Sequence, residues 1–519
     1  MDLFGPHSSP LQRFLETDNL SYLYEYSTFD WLILILYFSV LSILAVYGLH
    51  RYYLVYLHFK YRDKEARPAG RLEILPKITV QLPIFNEMYV VERLIDHVCR
   101  FDYPRDLLEI QVLDDSTDET QRLAQRKVRE YAEQGFDIHY IRRPERVGYK
   151  AGALDHGLKT ATGELIAIFD ADFTPRPDTL LNLVDYFSDP KVGMVQIRWE
   201  HINRDYSLLT NVQSIMLDGH FILESATRYR SGRFFNFNGT AGIWRRAAIE
   251  DAGGWEHDTL TEDLDLSYRA QMKGWKFVFV PHLTAPAEIP VDVNAFKSQQ
   301  YRWAKGSIQT CKKILPRLLF SDLPLPVKAE GFFHLTANIA YPLMVVLGLM
   351  LLPALIVRFH QGWFELLLLD LPLFMAATFS VSSFYIVSQK EIYVDWRSRL
   401  WYLPFLMSVG IGLSINNSKA VIEAFLGKES SFVRTPKFSV RNSGDNWTEK
   451  KYRLPSGMAP FIEIAFGIYF SLMIMYALDG GLYATVPFLM LFMVGYFYTG
   501  FLSLFQRRFC LSRPVPVYR

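Results

Sequence analysis

Acidic residues stand directly after three short apolar runs that are typical of buried β-strands. They are Glu87 after the run that begins at Ile78, Asp114 and Asp115 after the run that begins at Leu108, and Asp170 and Asp172 after the run that begins at Leu165. In parallel sheets ligands bind beyond the carboxyl ends of the strands, so we expect these side chains to meet at one edge. Carboxylates grouped there are unfavourable unless a cation or hydrogen-bond donors meet them. The sequence therefore predicts a site for a charged ligand.

The spacing of Asp170 and Asp172 indicates a divalent-metal site. An Asp-x-Asp tripeptide after a strand supplies hard oxygen ligands that suit Mg²⁺ or Mn²⁺, and such an ion can bridge the oxygens of a diphosphate. Lys150 lies among small residues in Gly148-Tyr-Lys-Ala-Gly-Ala and adds a cation. A lone loop lysine is usually only solvated, but beside these acids we interpret it as a diphosphate contact.

Two further motifs follow downstream. In Leu260-Thr-Glu-Asp-Leu-Asp-Leu the carboxylates of Glu262 and Asp263 stand among apolar residues, which can tune the pKa of a carboxylate so that it acts as a general base. Gln299-Gln-Tyr-Arg-Trp303 begins an amphipathic stretch. Taken alone, its Arg302-Trp303 pair would be interpreted as an anchor at a membrane interface, because Trp favours that boundary.

The elements that must position these residues alternate between strand and helix. Short apolar runs predict strands at 78–83, 108–113, 138–141 and 165–169, and helical spacing predicts helices at 87–99 and 120–134. This alternation predicts a mostly parallel sheet with right-handed crossovers.

Composition places this α/β domain in a membrane protein. Half of the 519 residues are hydrophobic and 21% are charged, against about a quarter in a soluble chain. The deficit lies in apolar runs, most of them long enough to span roughly 30 Å of hydrocarbon: Trp31–Gly48, Leu335–Val357, Leu366–Val387, Pro460–Leu478 and Tyr483–Phe505. The net charge of +1 gives no field that favours nucleic acid as a partner, and three scattered cysteines form no zinc or disulfide pattern.

Basic residues predict the sides of the membrane. The first thirty residues are mostly acidic and polar, so we expect no cleavable signal peptide, whereas Lys and Arg crowd residues 51–71 and the C-terminal tail. By the positive-inside rule the N-terminus is outside and the large domain cytosolic. The apolar run Leu400–Phe425 has basic flanks on both sides. We interpret it as an interfacial or re-entrant amphipathic helix on the cytosolic face, with an ordinary sixth span as the alternative.

The motifs in this order resemble those of the inverting, membrane-embedded β-glycosyltransferases of glycosyltransferase family 2, which include cellulose synthase, hyaluronan synthase and the cellulose-synthase-like mannan and glucan synthases. The ordered set is Pro83-Ile-Phe-Asn-Glu87, Asp114-Asp115, Asp170-Ala-Asp172, Thr261-Glu-Asp263 and Gln299-x-x-Arg302-Trp303. The resemblance covers roughly 78–437 and the flanking spans. It implies a Rossmann-like α/β glycosyltransferase A-type domain inserted in a transmembrane helix bundle with amphipathic interface helices.

The resemblance also implies the parts of the chain. Residues 1–60 would hold the N-terminal segment and the first span, and residues 61–325 the cytosolic catalytic domain. Residues 326–519 would form the C-terminal membrane region, with the interfacial helix at 400–425 and a gating loop at 427–453. The loop is recognised in Ser431-Phe-Val-Arg-Thr-Pro-Lys437, where Phe432, Thr435 and Lys437 match the family pattern Phe-x-Val-Thr-x-Lys and Arg434 replaces Val. In the family this loop covers the donor site from the cytosol, which favours the non-crossing interpretation of Leu400–Phe425.

Roles for single residues are implied in the same way. On the nucleotide-sugar side, Phe85 and Glu87 would contact the base, Asp114 or Asp115 the base or ribose, Lys150 the diphosphate, and Asp172 with Asp170 the Mg²⁺ or Mn²⁺ ion. On the acceptor side, Asp263 beside Glu262 would be the general base, Arg302 would bind the leaving diphosphate, and Trp303 with Gln299 would meet the acceptor sugar. Asn238, Gly239 and Thr240 would form an acceptor loop.

Two functions are consistent with this pattern. The first is a processive synthase in the inner or plasma membrane that polymerises sugar from UDP-glucose or GDP-mannose into a β-glucan or mannan and translocates the growing glycan. The alternative is transfer of one sugar to a lipid, as in ceramide glucosyltransferase. A channel or transporter has little support, because the spans show no buried charge of the kind an ion pathway needs.

Overall fold

The computed structural model describes residues 28–361, 367–442 and 444–511. Its strands are β1 Ile78–Ile84, β2 Leu108–Asp114, β3 Asp137–Ile141, β4 Leu165–Ile168, β5 Val192–His201, β6 Gly242–Arg245 and β7 Lys276–Ala287. The N-terminal acids before residue 28 and the arginines after residue 511, on which part of the sidedness prediction rests, lie outside the described residues.

The α-helices precede, separate and follow these strands. They are α1 Thr28–Tyr61, α2 Val91–Val98, α3 Thr120–Glu133, α4 Tyr149–Thr160, α5 Thr179–Val184, α6 Leu208–Gly219, α7 Ala226–Arg230, α8 Arg246–Asp251, α9 Glu262–Met272, α10 Val293–Leu319, α11 Leu325–Thr336, α12 Ala340–Gln361, α13 Leu367–Ile392, α14 Leu403–Gly412, α15 Ser414–Phe425, α16 Ala459–Asp479 and α17 Val486–Leu511. A π-helical segment, His220–Ser225, joins α6 to α7, and short 3₁₀ segments lie at Arg105–Leu107, Asp185–Ser188, Arg204–Tyr206, Ala337–Ile339, Trp396–Tyr402 and Tyr483–Thr485.

The strands form one sheet in the order β3-β2-β1-β4-β6-β5-β7. Strands β1 to β4 pair in parallel and β5 pairs in parallel with β7, whereas β6 is antiparallel to both of its neighbours. The predicted strands are confirmed to within one residue, and so is the mostly parallel sheet. Two successive antiparallel pairings restore the strand direction, so β5 ends at the same edge as β1, β2 and β4.

Helices cover both faces of the sheet, as buried parallel strands require. Along β4, Leu165 and Ala167 belong to one apolar core, while Ile166 and Ile168 belong to a second core on the opposite face. This alternation follows from the two-residue period of a strand. The helix predicted at 87–99 is shorter, because its first residues form a turn in which Val90 and Val91 donate to the carbonyl of Glu87.

Four helical segments among the described residues are long and apolar enough to cross a membrane: Thr28–Tyr61, Leu325–Val357, Ala459–Asp479 and Tyr483–Arg507. The predicted span Leu366–Val387 lies largely in α13, some of whose side chains are outside the described set, so it stays a prediction. The orientation in the membrane and the domain boundaries also stay predictions.

The run Leu400–Phe425 is helical but broken at Leu413. The segments on the two sides of the break, Trp396–Gly412 and Ser414–Phe425, are bent by about 40°, so the run is either a broken span or a re-entrant loop. Its second half packs along α10, where Asn416 Nδ2 donates to the carbonyl of Lys297 at 2.9 Å and Glu423 pairs with Lys305 at 3.1 Å.

A buried ion pair ties α10 to the membrane helices. Lys297 Nζ contacts Glu463 of α16 and the Ser503 hydroxyl of α17, and Glu463 is fully buried. The expectation that the predicted spans carry no buried charge is therefore wrong for Pro460–Leu478. The pair could not be recognised from the sequence, because Lys297 lies 166 residues before Glu463.

We expect removal of one partner of this pair to destabilise the protein strongly. Lys297→Met leaves the Glu463 carboxylate buried without a counter-charge, which typically costs about 3–5 kcal/mol. The double variant Lys297→Met with Glu463→Met has no buried charge at this position and should recover most of the lost stability. Thermal unfolding in detergent measures both variants, and a single variant as stable as the double variant would contradict the pairing.

Candidate active site

The predicted residues converge on one cavity at the carboxyl edge of β1, β2 and β4. All of them except Asp114 and Thr240 line it: Phe85, Glu87, Asp115, Lys150, Asp170, Asp172, Asn238, Gly239, Glu262, Asp263, Gln299, Arg302, Trp303, Phe432, Thr435 and Lys437. These residues come from β-strand ends, from α4, α9 and α10, and from the loop that follows α15. The structure thus brings together motifs that are separated by up to several hundred residues.

Two expected contacts lie outside the cavity wall. Asp114 is fully buried and accepts hydrogen bonds from the Tyr140 hydroxyl at 2.8 Å and the Ser116 N–H at 2.9 Å. Thr240 is also fully buried, and its hydroxyl accepts from the Asp170 N–H at 2.8 Å. The last position of β2 turns the Asp114 side chain into the core, while Asp115 lines the cavity.

Lysines neutralise the two acids of the Asp-x-Asp motif. Lys150 of α4 pairs with Asp170 and donates to the carbonyl of Gly239 at 2.9 Å. Lys437, from the loop after α15, pairs with Asp172 at 2.7 Å. A diphosphate entering this site would meet both ammonium groups.

Oxygen ligands of the kind that Mg²⁺ and Mn²⁺ prefer lie around the Asp-x-Asp motif. Asp170 and Asp172 offer carboxylate oxygens, and the neighbouring Glu288 keeps a buried Oε2 without a hydrogen-bond partner among the described residues. The cavity is lined by seven carboxyl groups and by five Lys or Arg side chains, so the acidic groups outnumber the basic ones. Glu288 was missed at the sequence level, although an acid directly after a strand, here β7, is the signal used for the other three clusters.

A second acidic group lies outside the cavity lining and, like the Asp-x-Asp motif, is paired with lysine. Glu256, Asp258 and Asp265 lie close together, but Lys313 Nζ contacts all three carboxylates, at 2.5, 2.9 and 3.1 Å. The lysine already supplies the cation that these acids need.

Asp263 lies in the first turn of α9 with a perturbed pKa. Burial and the adjacent Glu262 carboxylate together raise the pKa of Asp263 to about 7, against the opposing effects of Lys150 and Arg302. Gly239 permits the close approach of the acceptor loop: it has φ +80°, and a Cβ there would lie 3.0 Å from Asp263 Oδ2. A carboxylate poised near neutral pH suits a general base.

The loop after α15 closes over the cavity. Phe432 stacks on Tyr149 with ring centroids 5.6 Å apart, and the Arg302 guanidinium lies 4.4 Å from the Phe432 ring. Arg434, which departs from the family pattern, pairs with Glu87 at 3.1 Å and stacks on Tyr452. Burial raises the pKa of Glu87 to about 8, and Arg434 opposes that rise.

Two arginines that sequence reasoning missed lie near Phe85 and Asp115: Arg146 lines the cavity, and Arg143 lies behind Asp115. The Arg146 guanidinium lies 3.3 Å from the centre of the Phe85 ring. Arg143 forms a two-pronged ion pair with Asp115, with Nε 3.0 Å from Oδ1. Their only sequence signal is a cluster of basic residues before Gly148.

Comparison with known proteins bears on this site. Residues 76–306 match the family model described as glycosyltransferase like family 2. The chain is 43% identical over 249 residues to glucomannan 4-beta-mannosyltransferase 2 of Arabidopsis thaliana, which is 47% of each protein. It is 38% identical over 294 residues to probable glucomannan 4-beta-mannosyltransferase 3 of Oryza sativa subsp. japonica, 55% of this chain and 53% of that protein. The chain spans about half the length of the curated relatives it matches.

Among solved structures, the chain is similar to the mannosyltransferase PcManGT from Pyrobaculum calidifontis in complex with GDP-Man and Mn²⁺. The identity is 22% and the TM-score 0.49, over 75% of this chain and 100% of that one. The family match confirms the resemblance that the ordered motifs predict, together with the A-type α/β fold.

We expect transfer to depend on pH through the Glu262–Asp263 pair. Because the raised pKa of Asp263 is about 7, the base is protonated at lower pH, and the rate at saturating donor should fall about tenfold per unit below it. Asp263→Asn should lower the rate about 10²–10⁴-fold and leave nucleotide binding within a few-fold.

Release of the nucleotide diphosphate measures these rates. The control is Asp258→Asn, which removes a carboxylate near the same helix that is exposed and paired with Lys313. Near-full transfer by Asp263→Asn, or a flat profile between about pH 5 and 8, would show that another group is the base.

Proposed function

We propose that this chain, whose residues 76–306 are a glycosyltransferase-like family 2 domain, is a membrane-bound inverting hexosyltransferase that extends a β-linked glycan. The observation that carries the proposal is the single cavity where Asp263, Asp172 and Arg302 meet under the loop of Lys437. Such a site needs an acceptor hydroxyl on one side and a nucleotide diphosphate on the other.

The chemistry follows from the placement of charges. Asp263 takes the proton of the acceptor hydroxyl as the hydroxyl oxygen attacks the anomeric carbon of the donor sugar. Lys150, Arg302 and Lys437 bind the diphosphate that leaves on the opposite face. A divalent cation bound at Asp170 and Asp172 would supply charge neutralisation for that leaving group. One in-line displacement inverts the anomeric carbon, so an α-linked donor gives a β-linkage.

The relatives favour mannose as the transferred sugar. Their names describe 4-beta-mannosyltransferases acting on glucomannan, and the matched half of this chain contains most of the cavity. We therefore propose GDP-mannose as the first donor to test and UDP-glucose as the second, with a β-1,4 linkage as the product.

Membrane passage of the glycan is part of the proposal. It is supported by the four span-forming segments and by α10, which carries Arg302 and Trp303 at the cavity and Lys297 at the membrane helices. A glycan that moves through the membrane as it grows can be extended many times at one active site. The alternative function is transfer of a single sugar to a lipid.

A donor panel tests this function directly. Purified protein in lipid vesicles receives labelled GDP-mannose, UDP-glucose, GDP-glucose or UDP-N-acetylglucosamine, with Mg²⁺, Mn²⁺ or excess chelator. We expect a ladder of β-linked mannosyl products that requires a divalent ion, and no products from Asp263→Asn. If the product is a single glycolipid, the enzyme transfers one sugar to a lipid and does not polymerise. Full activity in excess chelator would exclude a required metal. No transfer from any donor would overturn the proposed function.

The loop should act in catalysis rather than in folding. Thr435→Ala with Lys437→Ala removes a hydroxyl and an ammonium that line the cavity, and we expect transfer to fall at least about tenfold because lids complete such sites. The matched control is Lys428→Ala, an exposed lysine of the same segment that pairs with Glu423. Equal loss in both variants, or lower thermal stability of the double variant, would contradict a catalytic role.

Sidedness gives a separate test of the loop. A cysteine in place of the exposed Ser431, with native cysteines replaced, should react with a membrane-impermeant thiol reagent from the same side as a cysteine in place of Glu133 at the end of α3. Reaction from the opposite side would mean that Leu400–Phe425 crosses the bilayer and that the loop cannot reach the cavity in the membrane.

A further inference from the structure

The cavity extends beyond the catalytic acids to a wall where two residues that no motif predicted, Trp199 and His201, stand beside Asn238 of the predicted acceptor loop. Trp199 and His201 line it from the end of β5, and Asn238 lines it from the acceptor loop. In the sheet, β5 lies two strands beyond β4, which is roughly 10 Å farther from the nucleotide end at the usual strand spacing.

Polar atoms on this wall lack partners among the described residues. They are Trp199 Nε1, His201 Nδ1 and Asn238 Nδ2. The His201 side chain is 2% exposed, and its other ring nitrogen, Nε2, pairs with the buried Asp218 carboxylate at 3.7 Å. A buried polar group left unsatisfied costs about 1–3 kcal/mol, so such a cluster in one cavity indicates a missing partner.

The orientation of the Asn238 amide is fixed by its neighbours. Asn236 Nδ2 donates to Asn238 Oδ1 at 3.2 Å, and His220 Nε2 lies 2.8 Å from the same oxygen. The Nδ2 donor is therefore the group left for a ligand. His220 belongs to the π-helical segment and is held in turn by Glu224, so the amide is preorganised.

The chemistry of the wall suits a neutral saccharide. An indole ring with its N–H, an imidazole and an amide can contact the apolar face of a sugar and exchange hydrogen bonds with its hydroxyls. The nearby charges are already matched: Asp218 lies 3.6 Å from Arg198 and accepts from Gln389 and Tyr393. A phosphate would find no free cation here among the described side chains.

The geometry points to a second acceptor subsite, in which Trp199, His201 and Asn238 bind the sugar unit next to the one that Asp263 deprotonates. Asn238 is bonded to Gly239, which abuts Asp263, so the subsite adjoins the reacting hydroxyl. The inference rests on the proposed function and adds that the acceptor is an oligosaccharide of at least two units.

Kinetics on acceptors of different length test the subsite. Trp199→Phe keeps an aromatic ring and removes the N–H, and His201→Ala removes the imidazole. We expect either variant to raise the KM for β-linked manno-oligosaccharides of two or more units about three- to tenfold, as the loss of one hydrogen bond implies. The KM for a one-unit acceptor, the donor KM and acceptor-free donor hydrolysis should not change.

Trp244→Phe is the matched control, because it also removes an unpartnered indole N–H, but one in the core away from the cavity. A changed donor KM with an unchanged acceptor KM would assign the wall to the donor sugar and overturn the proposal. Equal acceptor KM values in the variants, the control and the unaltered protein would mean that the wall binds only water, which would also overturn the proposal.

Calorimetry separates this test from the proposed function. We expect unaltered protein to bind β-linked mannotriose without any donor, and Trp199→Phe and His201→Ala to bind it about three- to tenfold more weakly. Binding without transfer from any donor would overturn the function and keep the subsite. Transfer with binding that neither variant weakens would overturn the subsite alone.

Discussion

The crowding of buried carboxyl groups in one cavity is the constraint on which the site depends. These groups lie at the strand ends and in α9, largely out of water, where an ionised carboxylate needs a cation or hydrogen-bond donors and an unmatched one has a raised pKa. Lys150 comes from the α/β domain, Arg302 from the helix that joins the domain to the membrane region, and Arg434 and Lys437 from the loop beyond α15. The site is therefore complete only when the membrane helices hold α10 and return that loop to the domain.

This constraint explains which parts of the site sequence reasoning could reach. Acids directly after apolar runs mark the sheet edge by local pattern alone, so Glu87, Asp115 and Asp172 were found together. The choice between Asp114 and Asp115 could not be made, because it depends on which face the last position of β2 presents. The contact of the Thr240 hydroxyl with the Asp170 N–H could not be predicted either, because it joins residues 70 positions apart.

The rest of the fold shows the same limit. β1, β2 and β4 are buried along almost their whole length, as parallel strands inside a sheet are, whereas β6 has four residues, Gly242–Arg245, and is antiparallel to its neighbours. Four residues are too few to show the two-residue alternation or the apolar run by which a strand is recognised in a sequence. Trp199 and His201 lie at the end of β5, a strand whose first half is uniformly buried. Their position at the cavity depends on the pairing of β5 with β6, which the sequence pattern does not reveal.

The charge balance also links the donor end of the cavity to the base. Lys437 holds Asp172, so a diphosphate that draws the ammonium toward itself leaves that carboxylate in need of another cation, and the buried Glu288 adds to the need. Negative charge that remains uncompensated raises the pKa of nearby carboxyls, as Glu262 does for Asp263. Lys150, which pairs with Asp170, also opposes the rise in the pKa of Asp263, so a ligand that drew this ammonium away from Asp170 would act on Asp263 as well. The Asp-x-Asp motif and Asp263 are thus coupled through one lysine.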